Sequence, residues 1–490
     1  MRQLSKSKII AYRQCPRRLW LELHRPELKD DNGNQAVFAI GNQVGEVARG
    51  IYDAAGKGEL IDIEAMGWDA AYERTASWLA GEQAPLFEAA LRIPGALALA
   101  DVMLSDGGGS WRMIEVKSTA SVKDYQRDDI AIQAYVAKQA GVPLSSVSLA
   151  HIDTSFVYQG DGDYRGLLFE VDLSGEAFAR ETEVAGWIAE AQEVAALPEE
   201  PEVEPGPQCW DPFECGFCAH CHRDLPTAEF PLTSFYRMRG TKRDELVAAG
   251  YRDIREVPDE HLSETNSWIK ELTAKGETHF DAAGAAAELA RHPGEPSFLD
   301  FETIAFAVPI WAGTSPYKQI PFQFSLHHRD ASGGGRHAEF LDTTGADPRR
   351  PLAEALVAAC GSKGPIYAYN AKFEKGVIAG LAQHFPDLAV GLMVILSRLV
   401  DLEPIARRNF YAPSQHGSWS LKAVLPAICP ELDYGRLEGV QNGDLAQQAY
   451  LEAIGPDTTE ERRGQIRRQL LDYCELDTLA LVRMWEVFSG

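Results

Sequence analysis

Two carboxylates two residues apart are the first residues in this sequence that could support catalysis. Asp300 and Glu302 lie in the largely apolar run 297–303. The apolar residues predict a buried strand, and the period-two alternation of a strand places both carboxylates on one face. Such carboxylates repel each other unless a cation lies between them, and their oxygen atoms are ligands that Mg²⁺ and Mn²⁺ prefer. The pattern predicts a divalent-metal site; a surface strand that happens to carry acids is the alternative.

Three segments further along the chain carry residues that could complete such a site. A predicted strand over residues 365–370 ends at Asn370, and the helix that follows has Glu374 in its first turn. Near the end of the chain, Tyr473 and Asp477 are four residues apart in a predicted helix, so they share one face. Lys422, in a Ser-Leu-Lys segment, could contact phosphate or be a solvated helix lysine.

The order of these motifs resembles that of the DEDD exonucleases in their tyrosine form, on a ribonuclease-H-like core. The position of Glu374 departs from the family pattern, since an aspartate is usual there. The resemblance implies cleavage from a 3′ end with two bound metal ions. It assigns Asp300, Glu302, Glu374 and Asp477 to Mg²⁺ or Mn²⁺, Tyr473 to positioning of the water, and Asn370 and Lys422 to contact with nucleic acid.

A second group of polar residues lies in the first half of the chain. Asp101 falls in a predicted strand, and after a Gly-rich turn the partner strand carries Glu115 and Lys117 on one face. Gln133 follows on a predicted helix. Carboxylates in this arrangement can hold Mg²⁺, while the ammonium group stabilises negative charge on an attacking hydroxide or a phosphorane. The alternative is a cross-strand salt bridge at the surface.

This second pattern resembles the PD-(D/E)XK nuclease superfamily, in particular its RecB-like exonuclease branch. The resemblance implies that Asp101 and Glu115 bind metal, that Lys117 is catalytic and that Gln133 organises the site. Glu46, on a predicted helix, would take the position where many relatives carry a metal-binding histidine. Relatives usually have a tyrosine four residues after the glutamine, whereas this chain has Ala137 there.

Four cysteines lie within thirteen residues, at Cys209, Cys215, Cys218 and Cys221. Thiolates at such spacing bind a soft metal in a reducing compartment, and zinc held locally is one interpretation. Cys15, in a Tyr-x-x-Cys-Pro-Arg context, resembles the first ligand of the RecB-like nucleases that carry an iron–sulfur cluster. That resemblance implies a [4Fe-4S] cluster on Cys15, Cys209, Cys215 and Cys221, with Cys218 as a competitor for one of these places.

Composition limits the classes of protein to which this chain could belong. Its 490 residues carry 72 acidic and 47 basic side chains, a net charge of −25, which argues against a protein that coats DNA through a broad basic surface. The longest apolar run, 388–396, is too short for a membrane span, and residues 1–10 lack the apolar core of a signal peptide. We therefore expect a cytoplasmic location and no membrane partner.

Together these patterns predict an α/β protein with three parts. By the resemblances given above, we expect residues 1–225 to form a RecB-like nuclease domain with an iron–sulfur cluster and 293–490 a ribonuclease-H-like exonuclease domain. We expect 226–292 to be a helical linker, which either contains half of a helix-hairpin-helix or is a packing bridge between the domains. The whole chain resembles an uncharacterised bacterial family with this arrangement.

The function expected from that resemblance is metal-dependent hydrolysis of DNA, exonucleolytic on single-stranded ends, in repair or defence. The alternative is one active centre in the second half, with the first half a non-catalytic module that binds nucleic acid or a partner. RNA remains open as a substrate. The sequence identifies no protein partner.

Overall fold

The computed structural model describes residues 1–30, 35–225, 227–330 and 334–490. The described chain is a mixed α/β protein with 19 α-helices and several β-sheets. It divides into two compact units, Met1–Leu225 with Phe306–Tyr317, and Pro226–Ala305 with Lys318–Gly490. In the described ranges, no helix has both the length and the apolar character that crossing a membrane requires.

The first unit combines one large sheet with nine helices among its described residues. Its strands are β1 (Leu4–Ser5), β2 (Glu59–Leu60), β3 (Leu86–Ile93), β4 (Ala96–Gly107), β5 (Ser110–Lys117), β6 (Leu144–Ile152) and β7 (Leu168–Asp172). Its helices are α1 (Lys6–Gln14), α2 (Pro16–His24), α3 (Gln35–Tyr52), α4 (Ile63–Met66), α5 (Trp68–Gly81), α6 (Asp124–Gln139), α7 (Ser174–Ala179), α8 (Glu181–Ala195) and α9 (Cys218–His222).

The sheet of the first unit has the order β2-β3-β4-β5-β6-β7, with β1 paired to β4. The hairpin β4–β5 is antiparallel, whereas β6 runs parallel to β5 after the crossover through α6. Apolar residues of α6, including Ile130 and Ile132, pack against the sheet in a core that also contains Trp111 and Met113. This packing fixes the face of α6 that lies over β5, where Glu115 and Lys117 are located.

Residues 306–317 belong to the first unit although they lie far from it in sequence. Ala307 and Val308 are buried with Val44, Ile152 and Leu167. The backbone N–H of Tyr158 donates to the carbonyl of Thr314 at 3.0 Å, and the Tyr317 hydroxyl donates to the carbonyl of Ser118. The segment therefore completes a small core of this unit.

The second unit contains the remaining elements. Its strands are β8 (His279–Phe280), β9 (Ser297–Ile304), β10 (Ile320–Arg329), β11 (Gly335–Leu341), β12 (Ile366–Ala368), β13 (Leu399–Asp401) and β14 (Phe410–Tyr411). Its helices are α10 (Thr241–Ala248), α11 (Glu264–Lys275), α12 (Ala282–Leu289), α13 (Arg349–Cys360), α14 (Lys372–His384), α15 (Ala389–Ser397), α16 (Glu403–Asn409), α17 (Leu421–Ile428), α18 (Gly443–Ile454) and α19 (Glu460–Ser489).

The main sheet of the second unit has the order β11-β10-β9-β12-β13. β10 is antiparallel to both β9 and β11, while β12 is parallel to β9 and β13. Leu299 and Phe301 pack on one side of β9 in a core with α13, α14 and α15. The other face of the sheet meets the long helix α19, where Phe298 contacts the ring of Trp485. Asp300 and Glu302 share that face with Phe298 by alternation along the strand.

Residues 227–292 contribute to the core of the second unit. Phe235, Ile254 and Ile269 are buried in the same cluster as Phe298 and Tyr411. β8 also pairs with β14, which lies more than a hundred residues later. The stretch that we expected to be a helical linker thus packs with the rest of the second unit; Pro226, its first residue, lies outside the described residues.

Candidate functional site

The acidic centre of the second unit consists of Asp300, Glu302 and Asp477. One carboxylate oxygen from each lies within 4.8 Å of the other two. β9 supplies the first two, and α19 supplies Asp477 from the opposite side. Glu302 and Asp477 are buried, and Asp300 is half-buried. The structure thus brings together three of the four acids that the sequence analysis assigns to metal in this half.

Burial and mutual repulsion determine the protonation of this centre. Burial raises the pKa of Asp300 well above its usual range, and the charges of Asp477 and Glu302 raise it further. Burial also raises the pKa of Glu302 well above its usual range, and the charge of Asp477 raises it further, while Lys422 acts in the opposite direction. Burial raises the pKa of Asp477 to about 6, although hydrogen bonds act in the opposite direction. A bound cation would relieve this repulsion.

Glu374 lies near the acidic centre but outside its tight group of three. It is buried in the first turn of α14, and its charge raises the pKa of Asp300. Burial raises the pKa of Glu374 itself to about 7. Its Oε2 atom is buried and has no hydrogen-bond partner in the described part of the protein.

Asn370 joins β12 to α14 in a left-handed backbone conformation, with φ of 60°. This conformation is uncommon outside glycine, although asparagine tolerates it better than most residues. Its backbone N–H donates to Asp401 Oδ1 at 2.9 Å, and the N–H of Glu403 donates to the same oxygen at 3.0 Å. Asp401 therefore holds the turn and the start of α16.

Two tyrosines lie close to Asp477. The Tyr434 hydroxyl donates to Asp477 Oδ1 at 2.5 Å, and the Tyr473 ring lies beside that of Tyr434, with ring centroids 6.1 Å apart. Lys422 lies over both rings, with Nζ 4.9 Å from the centroid of Tyr434 and 5.1 Å from that of Tyr473. The same Nζ donates to the carbonyl of Gln441 at 3.0 Å. Lys422 thus supplies a positive charge beside the acidic centre.

A groove of about 810 Å³ in the second unit is rich in arginines and aromatic rings. Asn370, four residues before Glu374, also lines it. Tyr236 and Trp419 meet edge to face, with ring centroids 5.2 Å apart. Positive side chains interleaved with aromatic rings are typical of surfaces that bind single-stranded nucleic acid. The arginines and the Phe, Tyr and Trp residues that line the groove are Arg237, Arg239, Arg243, Phe235, Tyr236, Tyr369 and Trp419.

Glu115 is the centre of the polar group in the first unit. Its Oε1 atom accepts from the ammonium groups of Lys6 and Lys117, both at 2.5 Å, and its Oε2 atom accepts from Gln133 at 2.6 Å. Lys117 also lies 2.9 Å from Asp129 Oδ2. Both oxygens of Glu115 therefore have donors from within the unit.

The electrostatics of this group differ from those of the acidic centre. Burial acts to raise the pKa of Glu115, but Lys117 and Lys6 hold it below its usual range. Burial raises the pKa of Asp101, and the Glu115 charge adds to this effect. Asp101 Oδ2 also accepts from the backbone N–H of Val116 at 2.7 Å. Two lysines thus partly neutralise these acids, whereas at the acidic centre the charge of Lys422 acts on Glu302 and Asp477.

A cavity of about 550 Å³ opens onto Asp101, Glu115 and Lys117. Helix α3 lines it with Asn42 and Gly45, among other residues. Glu46, the next residue along, is exposed and is not among the residues that line the cavity. The structure therefore places Glu46 away from the other residues expected to bind metal in this half.

Sequence reasoning missed several charged residues of this site, among them Lys6, Arg49, Glu88 and Asp129. Lys6 begins α1, and Glu88 lies on β3 with φ of 54°, a strained conformation for glutamate. Asp129 precedes Gln133 by four residues, so helical spacing could have identified it. Lys6 and Glu88 carry no such signal. In the second unit, Tyr434 and the arginines of the groove were also missed.

The cysteines meet where the two ends of the first unit come together. Cys15, Cys209, Cys215 and Cys221 line one small cavity, and Cys218 is not among its lining residues. The Gln14 side chain donates to the carbonyls of Gln208 and Phe213, at 2.8 and 2.7 Å. Cys15 lies between α1 and α2 and is thereby held against the loop that carries the other thiols.

The spacing and environment of the thiols bear on the kind of metal group they could hold. Across the described residues, no three of them lie within 4.8 Å of one another. Tetrahedral zinc, with Zn–S bonds of about 2.3 Å, needs sulfur atoms roughly 3.8 Å apart. Burial raises the pKa of Cys215, and raises that of Cys221 to about 11 although Arg17 acts in the opposite direction. The spacing is wider than a single zinc ion requires.

Comparisons with known proteins match part of this chain to one family, and they also include a sequence relative and a solved structure. Residues 297–420 match the family described as "Domain of unknown function (DUF2779)". That range includes Asp300, Glu302 and Glu374 but ends before Tyr473 and Asp477. A Mycoplasma pneumoniae protein described as "Uncharacterized protein MG366 homolog" is 28% identical over 203 residues, which is 38% of this chain and 31% of that protein. This chain thus spans about a third of that relative's length.

The solved structure titled "Crystal structure of SSO0001" overlaps 46% of this chain and 87% of its own, with 15% sequence identity and a TM-score of 0.25. A TM-score at this level does not establish a shared fold.

Proposed function

We propose that this protein is a metal-dependent nuclease that hydrolyses phosphodiester bonds of DNA from single-stranded ends, in repair or defence. The observation that carries the proposal is the group of three carboxylates within 4.8 Å of one another, two from a central strand and one from a long helix. The mixed sheet with this acidic strand in the middle supports a ribonuclease-H-like exonuclease core. The test is nucleotide release by the full chain with Mg²⁺ or Mn²⁺; a protein that releases none with either ion contradicts the proposal.

The residues of the acidic centre fit divalent metal ions. Three carboxylates share a small space, and the buried Oε2 atom of Glu374 has no hydrogen-bond partner among the described residues. Asp300, Glu302 and Asp477 would hold the metal, with Glu374 as a further ligand. Divalent ions at such a site supply Lewis acidity that activates water and stabilises the leaving 3′ oxygen.

The surrounding side chains orient the reacting groups. The hydrogen bond from Tyr434 fixes the direction of the Asp477 carboxylate. The Tyr473 hydroxyl is then available to position a water molecule beside that carboxylate. Lys422 adds a positive charge that attracts the scissile phosphate. Asn370, at the turn before α14, is suited to contact the substrate strand where the groove begins.

The arginine and aromatic groove supports a single-stranded nucleic acid as the substrate. The chain as a whole is strongly acidic, so a local concentration of arginines is a specific feature rather than an average one. Arginines can neutralise phosphates, and the aromatic rings offer faces on which bases stack without sequence preference. Because none of these features reads a 2′ hydroxyl, RNA is an additional substrate to test.

Arg239→Gln is expected to weaken binding of single-stranded DNA several-fold and to reduce the salt dependence of binding. Arg239 is exposed in the groove. For single-stranded nucleic acid, the logarithm of the binding constant falls linearly with the logarithm of the salt concentration, and each lost phosphate contact makes this slope less steep by about 0.7. Fluorescence anisotropy with a labelled oligonucleotide over a salt series measures both effects. The control is Lys242→Gln, which removes the same charge from an exposed position that does not line the groove. Equal effects of the two variants would contradict a groove-specific contact.

For the first unit, we propose a RecB-like nuclease centre formed by Asp101, Glu115 and Lys117, with Gln133 as the residue that orients Glu115. Magnesium or manganese would be held by the two carboxylates. A specific observation favours the alternative of a non-catalytic module: both oxygens of Glu115 are already bonded to Lys6, Lys117 and Gln133. A metal ion at Glu115 has to displace at least one of these donors.

Lys117→Ala distinguishes the two proposals for the first unit. In an Asp477→Asn background, which disables the acidic centre, an active RecB-like centre is expected to lose its remaining cleavage at least about 100-fold with Lys117→Ala. Gel analysis of circular and linear single-stranded DNA measures this cleavage. Lys57→Ala, at an exposed position outside the cavity, is the control. If Lys117→Ala changes neither the rate nor the products, the non-catalytic module is the correct description.

We also propose that the four cysteines of the first unit bind a [4Fe-4S] cluster. Cys15, Cys209, Cys215 and Cys221 line one cavity, and their spacing is wider than a single zinc ion needs. Cysteine thiolates are the usual ligands of such clusters. In this role the cluster fastens the N-terminal helices to the segment that follows the nuclease-like sheet.

A further inference from the structure

A group of two histidines and one glutamate lies on the second unit, separate from the acidic centre. One ring nitrogen of His327, one of His337 and one oxygen of Glu475 all lie within 4.8 Å of one another. His327 on β10 and His337 on β11 are directly paired across the two strands, and their rings stack with centroids 4.5 Å apart. Glu475 approaches from α19. Three different elements thus converge on one small space.

In each of the two imidazole rings, one nitrogen contacts a hydroxyl group and the other nitrogen does not take part in that contact. His327 Nδ1 lies 2.9 Å from the Thr478 hydroxyl, and His337 Nε2 lies 2.8 Å from the Ser325 hydroxyl. His337 Nδ1 lies 3.8 Å from Glu475 and 4.0 Å from Glu339. Histidines that bind a metal typically use their second ring nitrogen for such a hydrogen bond, which fixes the tautomer and the orientation of the ring.

We propose that His327, His337 and Glu475 form a site for a transition-metal ion of the zinc class, with Glu339 as a fourth ligand. Imidazole nitrogen and carboxylate oxygen are ligands that Zn²⁺ binds well, usually with four ligands in tetrahedral geometry. The ligand atoms of one tetrahedral zinc ion lie roughly 3.3 Å apart. To bind one ion, the ligand atoms of these side chains would therefore move toward one another by about 1 Å.

This site is distinct from the one proposed for catalysis, although both use α19. Glu475 and Asp477 are two residues apart, so their side chains leave the helix in directions about 200° apart. A metal at the histidine site would cross-link the β10–β11 hairpin to the helix that carries Tyr473 and Asp477. Its role would be structural: it would hold α19 in place over the sheet.

The test is Zn²⁺ binding to the full chain, with matched histidine variants. Anaerobically purified wild type, His337→Gln and His328→Gln are dialysed against the same free Zn²⁺ concentration and analysed for bound metal by mass spectrometry. His328 is the matched control because it neighbours His327 on β10 but bonds to Ser297 instead. The cysteines and the acidic centre are intact in all three proteins. Metal bound at those sites is therefore the same in each and does not contribute to the difference in Zn²⁺ content between them.

We expect His337→Gln to bind one Zn²⁺ per chain fewer than wild type and His328→Gln. Added Zn²⁺ is also expected to raise the melting temperature of wild type and His328→Gln more than that of His337→Gln. Equal Zn²⁺ content in wild type and His337→Gln would overturn the proposal. If His337→Gln does not fold, Glu475→Gln decides in its place, because the Glu475 side chain is 46% exposed. Undiminished Zn²⁺ binding by that variant overturns the site, and loss of one equivalent supports it.

Discussion

Asp477→Asn is expected to lower the release of 3′-terminal nucleotides from single-stranded DNA by about 1,000-fold, which corresponds to about 4 kcal/mol of lost transition-state stabilisation. The substitution keeps the volume of the side chain and an oxygen that can accept from Tyr434, but it removes the negative charge. Without that charge the acidic centre loses one of its three close carboxylates and binds divalent metal poorly. Initial rates with a 3′-labelled oligonucleotide and Mg²⁺ or Mn²⁺ measure the effect.

The matched control for this experiment is Asp472→Asn. Asp472 lies on the same helix, five residues earlier, and is exposed to solvent. We expect this variant to retain the wild-type rate, and both variants to have melting temperatures close to that of wild type. If the double variant Asp477→Asn, Lys117→Ala releases nucleotides at the wild-type rate, the acidic centre is not the site of cleavage.

Cys15→Ser is expected to abolish the charge-transfer absorbance of an iron–sulfur cluster in anaerobically purified protein. Iron content should fall from about four atoms per chain to near zero, because a [4Fe-4S] cluster with three thiolates is readily lost. The reason lies in the geometry: Cys15 lines the same cavity as Cys209, Cys215 and Cys221 although it is about two hundred residues away in sequence. Ultraviolet–visible spectra and metal analysis measure both quantities.

Cys218→Ser provides the control for the cluster. Cys218 has the same local spacing to Cys221 and Cys215 that would suit a metal ligand, but it does not line the cavity. We expect this variant to keep its iron. Loss of iron from Cys218→Ser but not from Cys15→Ser would reverse the assignment. Colourless protein that carries zinc, unchanged by Cys15→Ser, would establish the local zinc site instead.

Local patterns in the sequence were sufficient to predict several parts of the candidate sites. The alternation around Asp300 and Glu302 gives their shared strand face, and the four-residue spacing of Tyr473 and Asp477 gives their shared helix face. Both features depend only on the geometry of one element. The proximity of these two elements came from the resemblance to a nuclease family, not from the spacing.

Contacts between distant parts of the chain could not be predicted in this way. Lys6 bonds to Glu115 across more than a hundred residues, and no local pattern around Lys6 indicates that contact. Glu46 illustrates a second reason. The helix that contains it was predicted correctly, but neighbouring residues on a helix point in directions about 100° apart, so Gly45 lines the cavity and Glu46 does not. The arginines of the groove were missed because their segment was interpreted as a linker.

The segment 306–317 has a consequence for how this protein can be divided or rearranged. The chain leaves the second unit after β9, supplies Ala307 and Val308 to the small core of the first unit, and returns as β10. A fragment that ends at residue 225 would expose Val44, Ile152 and Leu167, which this segment covers. Division of the chain at that boundary therefore separates the first unit from part of its own core.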